Sequence, residues 1–131
     1  MKGSLGKLPK GIRRYLIDNY WEVWVGKTDE DNDYLSLKLA DANDLWFHVK
    51  GMPGSHVVLR LPEKGLPPKE VIEAAAAVAA WHSKARNGGW TAVNYTQAKF
   101  IKKPKGAKPG TVTIRNEKTI KVKPGLPGEE F

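Results

Sequence analysis

Apolar and polar residues alternate along several short runs of this chain, and the period turns helical only once over a long stretch. The clearest alternation spans Asp44 to Arg60. Leu45, Phe47 and Val49 point one way, and Trp46, His48 and Lys50 point the other. Gly51-Met52-Pro53-Gly54-Ser55 then breaks the run, after which Val57 and Leu59 alternate with His56, Val58 and Arg60. Two such runs about a Gly- and Pro-rich break predict a hairpin. A loop over those five residues sets Lys50 opposite His56, His48 opposite Val58 and Trp46 opposite Arg60. One face of the ribbon is then apolar. The other carries an indole, two imidazoles and cations, and is the expected functional face.

The flanking segments fill in an α+β domain. Ile12 to Ile17 and Tyr20 to Val25 flank Asp18-Asn19, a two-residue turn between strands, with Trp21 and Trp24 expected as core and edge packing. The acidic run Asp29 to Asp33 lacks the glycine and distal glutamate of a calcium loop. Its expected role is to cap, through Asp31 or Asn32, a short helix from Asp33 to Ala40. Leu66-Pro67-Pro68 leads into an Ala-rich helix from Lys69 to Arg86, stopped by Gly88-Gly89, with His82 capping it or at the surface. Trp90 to Tyr95 reads as a strand, followed by the short run Lys99-Phe100-Ile101. Thr111 to Arg115 and Thr119 to Lys123 read as a last hairpin with Val112, Ile114, Ile120 and Val122 inward. The expected architecture is antiparallel hairpins forming a sheet, with the long helix packed on it. It occupies residues 12–124, between a flexible lead-in (1–11) and a frayed tail (125–131).

Composition narrows the class. At 131 residues the chain can bury one core unaided, and the absence of cysteine excludes disulfides and thiolate metal sites. No apolar run has the length of a membrane span and the N-terminus has no signal-peptide core, so a cytoplasmic protein without membrane contact is expected. The net charge is +8, and its distribution is the stronger observation. Lys99, Lys102, Lys103, Lys105, Lys108, Arg115, Lys118, Lys121 and Lys123 face a single acid, Glu117, while the rest of the chain balances. A cationic field so concentrated suits a polyanion such as nucleic acid.

The loop Lys102-Lys103-Pro104-Lys105-Gly106-Ala107-Lys108-Pro109-Gly110 carries the strongest chemical signal. Its prolines resist collapse and its glycines permit close approach, so several ammonium groups can meet phosphates together. Lys99, Arg115, Lys121 and Lys123 are expected to help. Trp46, His48, His56 and Arg60 are expected to contact bases or sugars, Trp46 by stacking, or else by packing under a neighbouring segment with Arg60 over it. The histidines are expected to fix the hairpin by hydrogen bonds. Loop and ribbon face are expected to share one groove. A metal-dependent RNA hydrolase built on Asp44, His48, His56 and His82 is the competing enzyme reading, but no metal-ligand spacing, nucleophile motif or phosphate loop supports it. No cofactor or catalytic residue is assigned. A protein-docking adaptor on a ribosomal or tRNA-modification complex is the other alternative.

Several of these segments carry a family resemblance. Val25-Gly26-Lys27, Asn32-Asp33-Tyr34-Leu35, Asp44-Leu45-Trp46-Phe47-His48-Val49 and Pro53-Gly54-Ser55-His56-Val57 resemble the NFACT RNA-binding domain, NFACT-R. So do Trp81-His82-Ser83-Lys84-Ala85-Arg86 and the lysine loop running into Thr111-Val112, in the same order over roughly residues 20 to 126. The resemblance implies RNA binding, to tRNA or to rRNA of the large ribosomal subunit, since that domain ends ribosome-quality-control proteins, also described as fibronectin-binding protein A-like. Here it is expected to be free-standing, without the N-terminal NFACT module, helix-hairpin-helix segment or coiled coil. The tailing of nascent chains is therefore not carried over, and tRNA maturation or modification is the alternative pathway.

Overall fold

The computed structural model describes residues 7–128 and Glu130. Strands β1 (Ile12–Ile17) and β2 (Trp21–Gly26) form the first hairpin. Asp18 and Asn19 both adopt positive φ, 53° and 55°, and Tyr20 N–H donates to the Ile17 carbonyl. This is the turn geometry that short polar side chains tolerate and that matches strand twist. Strands β3 (Leu45–Val49), β4 (Val57–Leu59), β5 (Thr91–Gln97) and β8 (Lys118–Val122) complete an antiparallel six-stranded sheet of order β1-β2-β4-β3-β5-β8. Helix α2 (Lys69–Trp81) lies across one face. There Val71, Ala75, Val78 and Ala79 meet Phe47, Val49, Val57 and Leu59 in the main core. The alanines let the helix backbone come close to the sheet, and each large buried side chain contributes about 1.5–3 kcal/mol.

The opposite face is covered as well. Helix α1 (Asp29–Tyr34) continues into a π turn, Leu35–Leu39, and a two-stranded ribbon of β6 (Ile101–Lys102) and β7 (Thr113–Ile114) packs beside it. Together they enclose a second core of Ile12, Trp24, Leu35, Trp46, Val58 and Ile101, flanked by Leu37, Leu39, Val112 and Ile114. The domain is thus helix, sheet and a smaller third layer.

The α+β architecture is as expected; several local details differ. In the central hairpin Trp46 pairs with Val58 and Phe47 with Val57, a register two residues from the expected one. Facing is preserved because the side-chain period is two. The longer loop has a cause in hydrogen bonding: His56 N–H donates to Asn32 Oδ1 and the His56 carbonyl accepts from Gly26, which removes His56 from the β3 ladder. Helix α1 starts earlier than expected. Its cap is Thr28, whose hydroxyl accepts from Asp31 N–H while the Asp31 carboxylate accepts from Thr28 N–H.

Helix α2 ends at Trp81 rather than near Gly88. His82 occupies the C-cap, and its carbonyl accepts from Ser55 N–H while Lys84 N–H donates to Pro53. The loop after β3 therefore takes the hydrogen bonds a further helical turn would have used. The expected last hairpin does not form. β7 joins β6 in the third layer, Asn116 takes φ 57°, and β8 crosses to the sheet edge beside β5. Val112 and Ile114 enter the second core while Ile120 and Val122 enter the main one. Within the lead-in, Leu8 packs on the second core and Ile12 N–H donates to Pro9; residues 1–6 lie outside the described residues. In the tail, Gly125 N–H donates to Ala77 and Glu130 ion-pairs with Arg13; Glu129 and Phe131 lie outside the described residues. No helix among the described residues is long and apolar enough to cross a membrane.

Candidate nucleic-acid interface

A hydrogen-bonded chain links the central strand to the lysine loop. Trp46 Nε1 donates to Ser36 Oγ at 2.8 Å, Ser36 Oγ lies 2.8 Å from His56 Nδ1, and His56 Nε2 lies 3.2 Å from the Gly110 carbonyl. A carbonyl only accepts, so His56 carries its proton on Nε2 and accepts at Nδ1 from Ser36. Burial, with the His48 ring beside it, lowers the His56 pKa to about 4, keeping the ring neutral. Trp46 and His56 are each 2% exposed. Of the two roles expected of Trp46, stacking on bases or packing, its burial gives packing, because α1, the π turn and the β6–β7 ribbon close over the indole. His56 is a strut of the fold, but its ring ties the strand to the π turn and the lysine loop rather than across the hairpin, which is bridged instead by His48 and the Gly54 carbonyl.

The loop is held firmly against α1. Asp33 accepts from Gly110 N–H through Oδ1 at 3.0 Å and pairs with Lys103 Nζ through Oδ2 at 2.9 Å. Lys103 Nζ also donates to the Thr111 and Lys108 carbonyls. Gly110 has φ +85°, a left-handed conformation that glycine adopts without strain, and it packs against the Asp29 side chain. Lys103 is thereby an anchor of the loop, its charge taken up internally, while Lys102, Lys105 and Lys108 stay exposed.

Arg60 is also committed internally. Its guanidinium contacts Asp41 at 2.7 Å and Asp44 at 2.8 Å, and lies 4.3 Å over the ring of Trp24, not Trp46. Asp44, 1% exposed, accepts from Leu61 and Asp41 N–H groups. Burial raises its pKa against the pull of those donors and Arg60. With those ties at the start of β3, Asp44 joins no histidine, and no group of three or more metal-ligating side chains occurs among the described residues. His82 is elsewhere, with Nε2 2.8 Å from Tyr15 Oη.

One part of the expected functional face stays open. His48, partly exposed, stacks on Trp46 and lies 5.6 Å from the His56 ring; its Nε2 meets the Gly54 carbonyl at 3.2 Å, and burial lowers its pKa. His48 is paired in register with Asn94 on β5, and Asn94 Oδ1 accepts from Thr119 Oγ1 on β8 at 2.7 Å. Lys121 follows on the same face of β8. A polar strip, His48–Asn94–Thr119–Lys121, thus runs from the rim of the lysine loop to the sheet edge. The other cations lie apart: Lys99 and Arg115 flank Phe100, and Lys123 lies 5.4 Å from the Trp90 ring. Sequence reasoning missed Asn94 and Thr119, which only strand register reveals, and Asp33 and Ser36, whose partners are far along the chain.

The chain resembles known proteins over most of its length. A family model described as the NFACT protein RNA binding domain matches residues 15–116. The Rqc2 homolog RqcH of Bacillus subtilis (strain 168) is 43% identical over 102 residues, which is 78% of this chain and 17% of that protein. Its counterpart of the same name in Streptococcus suis (strain 05ZYH33) is 45% identical over 121 residues, 92% of this chain and 22% of that protein. A solved structure of the C-terminal part of the fibronectin/fibrinogen-binding protein from Streptococcus suis superposes with a TM-score of 0.82 at 40% identity, covering 95% of this chain and 49% of that one. The chain spans about a fifth of the length of the curated relatives it matches.

Proposed function

The chain belongs to the family of NFACT protein RNA-binding domains, and on that premise we propose that it is a non-catalytic RNA-binding module gripping phosphates through its lysine loop. Lys102, Lys105 and Lys108 supply the grip, and the His48–Asn94–Thr119–Lys121 strip supplies polar contacts to sugars or base edges. Lys99, Arg115 and Lys123 add long-range attraction. The observation that carries this reading is the exposed lysine loop fastened by Asp33 and His56 at the edge of an open polar strip. The names of the relatives make ribosome quality control the proposed setting, with tRNA or large-subunit rRNA as the ligand. Lysine contacts to phosphate give affinity rather than sequence reading.

Titration of tRNA and of rRNA fragments at several salt concentrations tests this. Each lost phosphate contact flattens the slope of log affinity against log salt by about 0.7–0.9. Replacing both Lys105 and Lys108 with alanine is expected to flatten it by about 1.4–1.8 and to weaken all RNAs alike. An unchanged slope, or no RNA binding by the wild-type chain at low salt, overturns the reading.

A further inference from the structure

We propose that Arg13, Lys27, Lys84 and Arg86 frame a second phosphate-binding groove, separate from the lysine loop, that takes the RNA backbone and has the Glu130 carboxylate as its internal competitor. The proposal rests on the RNA-binding reading above. The groove has a volume of about 510 Å³ and is open to solvent. Three segments build it: the start of β1, the turn from β2 into α1, and the turn after α2 docked on the 53–55 loop. Gly54 bridges to Ser83, and a Cβ on Gly54 would lie 2.8 Å from that of Ser83. This close approach brings Lys84 and Arg86 to the same groove as Lys27. Arg86 is steadied by donating from Nε to the Trp81 carbonyl at 2.7 Å, with its guanidinium 4.7 Å over the Trp81 ring, yet the residue stays exposed.

One guanidinium of the lining already holds an oxyanion. Arg13 Nη1 donates to both carboxylate oxygens of Glu130, at 2.9 and 3.2 Å, across 117 residues of chain. A phosphodiester presents a comparable pair of oxygens to a guanidinium. The field at the site is positive: His82, which also lines it, has a pKa near 4 from burial first and then from Arg13 and Arg86, with Glu130 opposing them. Asp29 is the one acid among the described residues of the lining, and it is the residue against which Gly110 packs. The groove therefore ends where the lysine loop ends, and one backbone can run from loop to groove. None of the four cations belongs to the basic block from Lys99 to Lys123, so charge counting along the chain does not reveal them.

The test uses the full chain and anisotropy titrations of tRNA at several salt concentrations, with thermal melts to verify folding. Lys27 and Lys84 are exposed, and changing both to glutamine leaves the Arg13–Glu130 and Arg86–Trp81 contacts in place. That pair of changes is expected to weaken binding about tenfold and flatten the salt slope by about 1.4–1.8. Glu130→Gln is expected to tighten binding severalfold, and to have no effect when Arg13→Gln is also present. If the wild-type chain binds tRNA while the Lys27→Gln, Lys84→Gln variant keeps its affinity and slope, the groove is overturned and RNA binding stands. If Glu130→Gln tightens nothing, the competitor is overturned. A parallel NMR titration with tripolyphosphate follows the Ser55, Lys84 and Arg86 amides. Shifts there without tRNA binding support the groove and overturn the RNA reading; silence in both overturns both.

Discussion

His56 is the residue on which two layers and a loop converge, and its neutrality has a measurable consequence. In the unfolded chain an imidazole titrates near 6.5, whereas in the fold His56 titrates at about 4. Between those values the unfolded state binds a proton that the native state does not, so stability rises with pH there. The contribution is complete above about pH 6.5 and is lost as pH falls towards 4, on the order of 3 kcal/mol for this buried ring. His82, also lowered to about 4, pulls in the same direction. Urea melts from pH 7 to 4.5 are expected to show this decline, His56→Gln to reduce it in part, and His56→Gln with His82→Gln to flatten most of it. Trp46 belongs to the same scale. Trp46→Ala opens a cavity in the second core and is expected to cost about 3–5 kcal/mol, seen in the same melts. RNA preference at a permissive temperature is expected to be unchanged, which a stacking role would not allow.

Among the elements, the sequence was legible wherever a local pattern decides the outcome. The Asp18-Asn19 turn, the strand faces around Trp46 and the body of α2 all follow from period and turn chemistry. The end of α2 did not, because backbone bonds from Pro53 and Ser55, distant in sequence, replace the next helical turn. The same holds for β7 and β8, whose apolar residues read as one hairpin but serve opposite faces of the sheet. Alternation reports that a residue is buried, not against what. The acidic run before Tyr34 likewise signalled a cap, while its Asp33 is what holds the lysine loop. Asp33→Ala separates two effects of that contact. It makes the chain more positive, which alone would strengthen RNA binding, yet it frees the loop. A loop whose prior ordering matters is expected to bind severalfold more weakly in this variant, with faster hydrogen exchange at Gly110.

For the whole molecule, charge concentration pointed to nucleic acid, and the candidate surface then rearranged once the layers were known. Three of the expected contacts, Trp46, His56 and Arg60, turn inward and serve the scaffold, and Lys103 is tied to Asp33 at the surface, while Lys102, Lys105, Lys108, His48 and Lys121 remain accessible to varying degrees. The difference lies in the third layer, whose apolar positions are scattered over the π turn, β6 and β7. No single stretch of sequence announces a lid over the central strands.

β8 ends the sheet and bears Lys118 and Lys121, with Lys123 just past its end. An unpaired strand margin offers its amides and carbonyls to any extended chain, and repulsion between ammonium groups is one way to keep a second copy from zipping on. These lysines are therefore expected to guard against self-association. Variants that neutralise them are expected to drift towards dimers and larger particles in light scattering, with a matching decline in solubility.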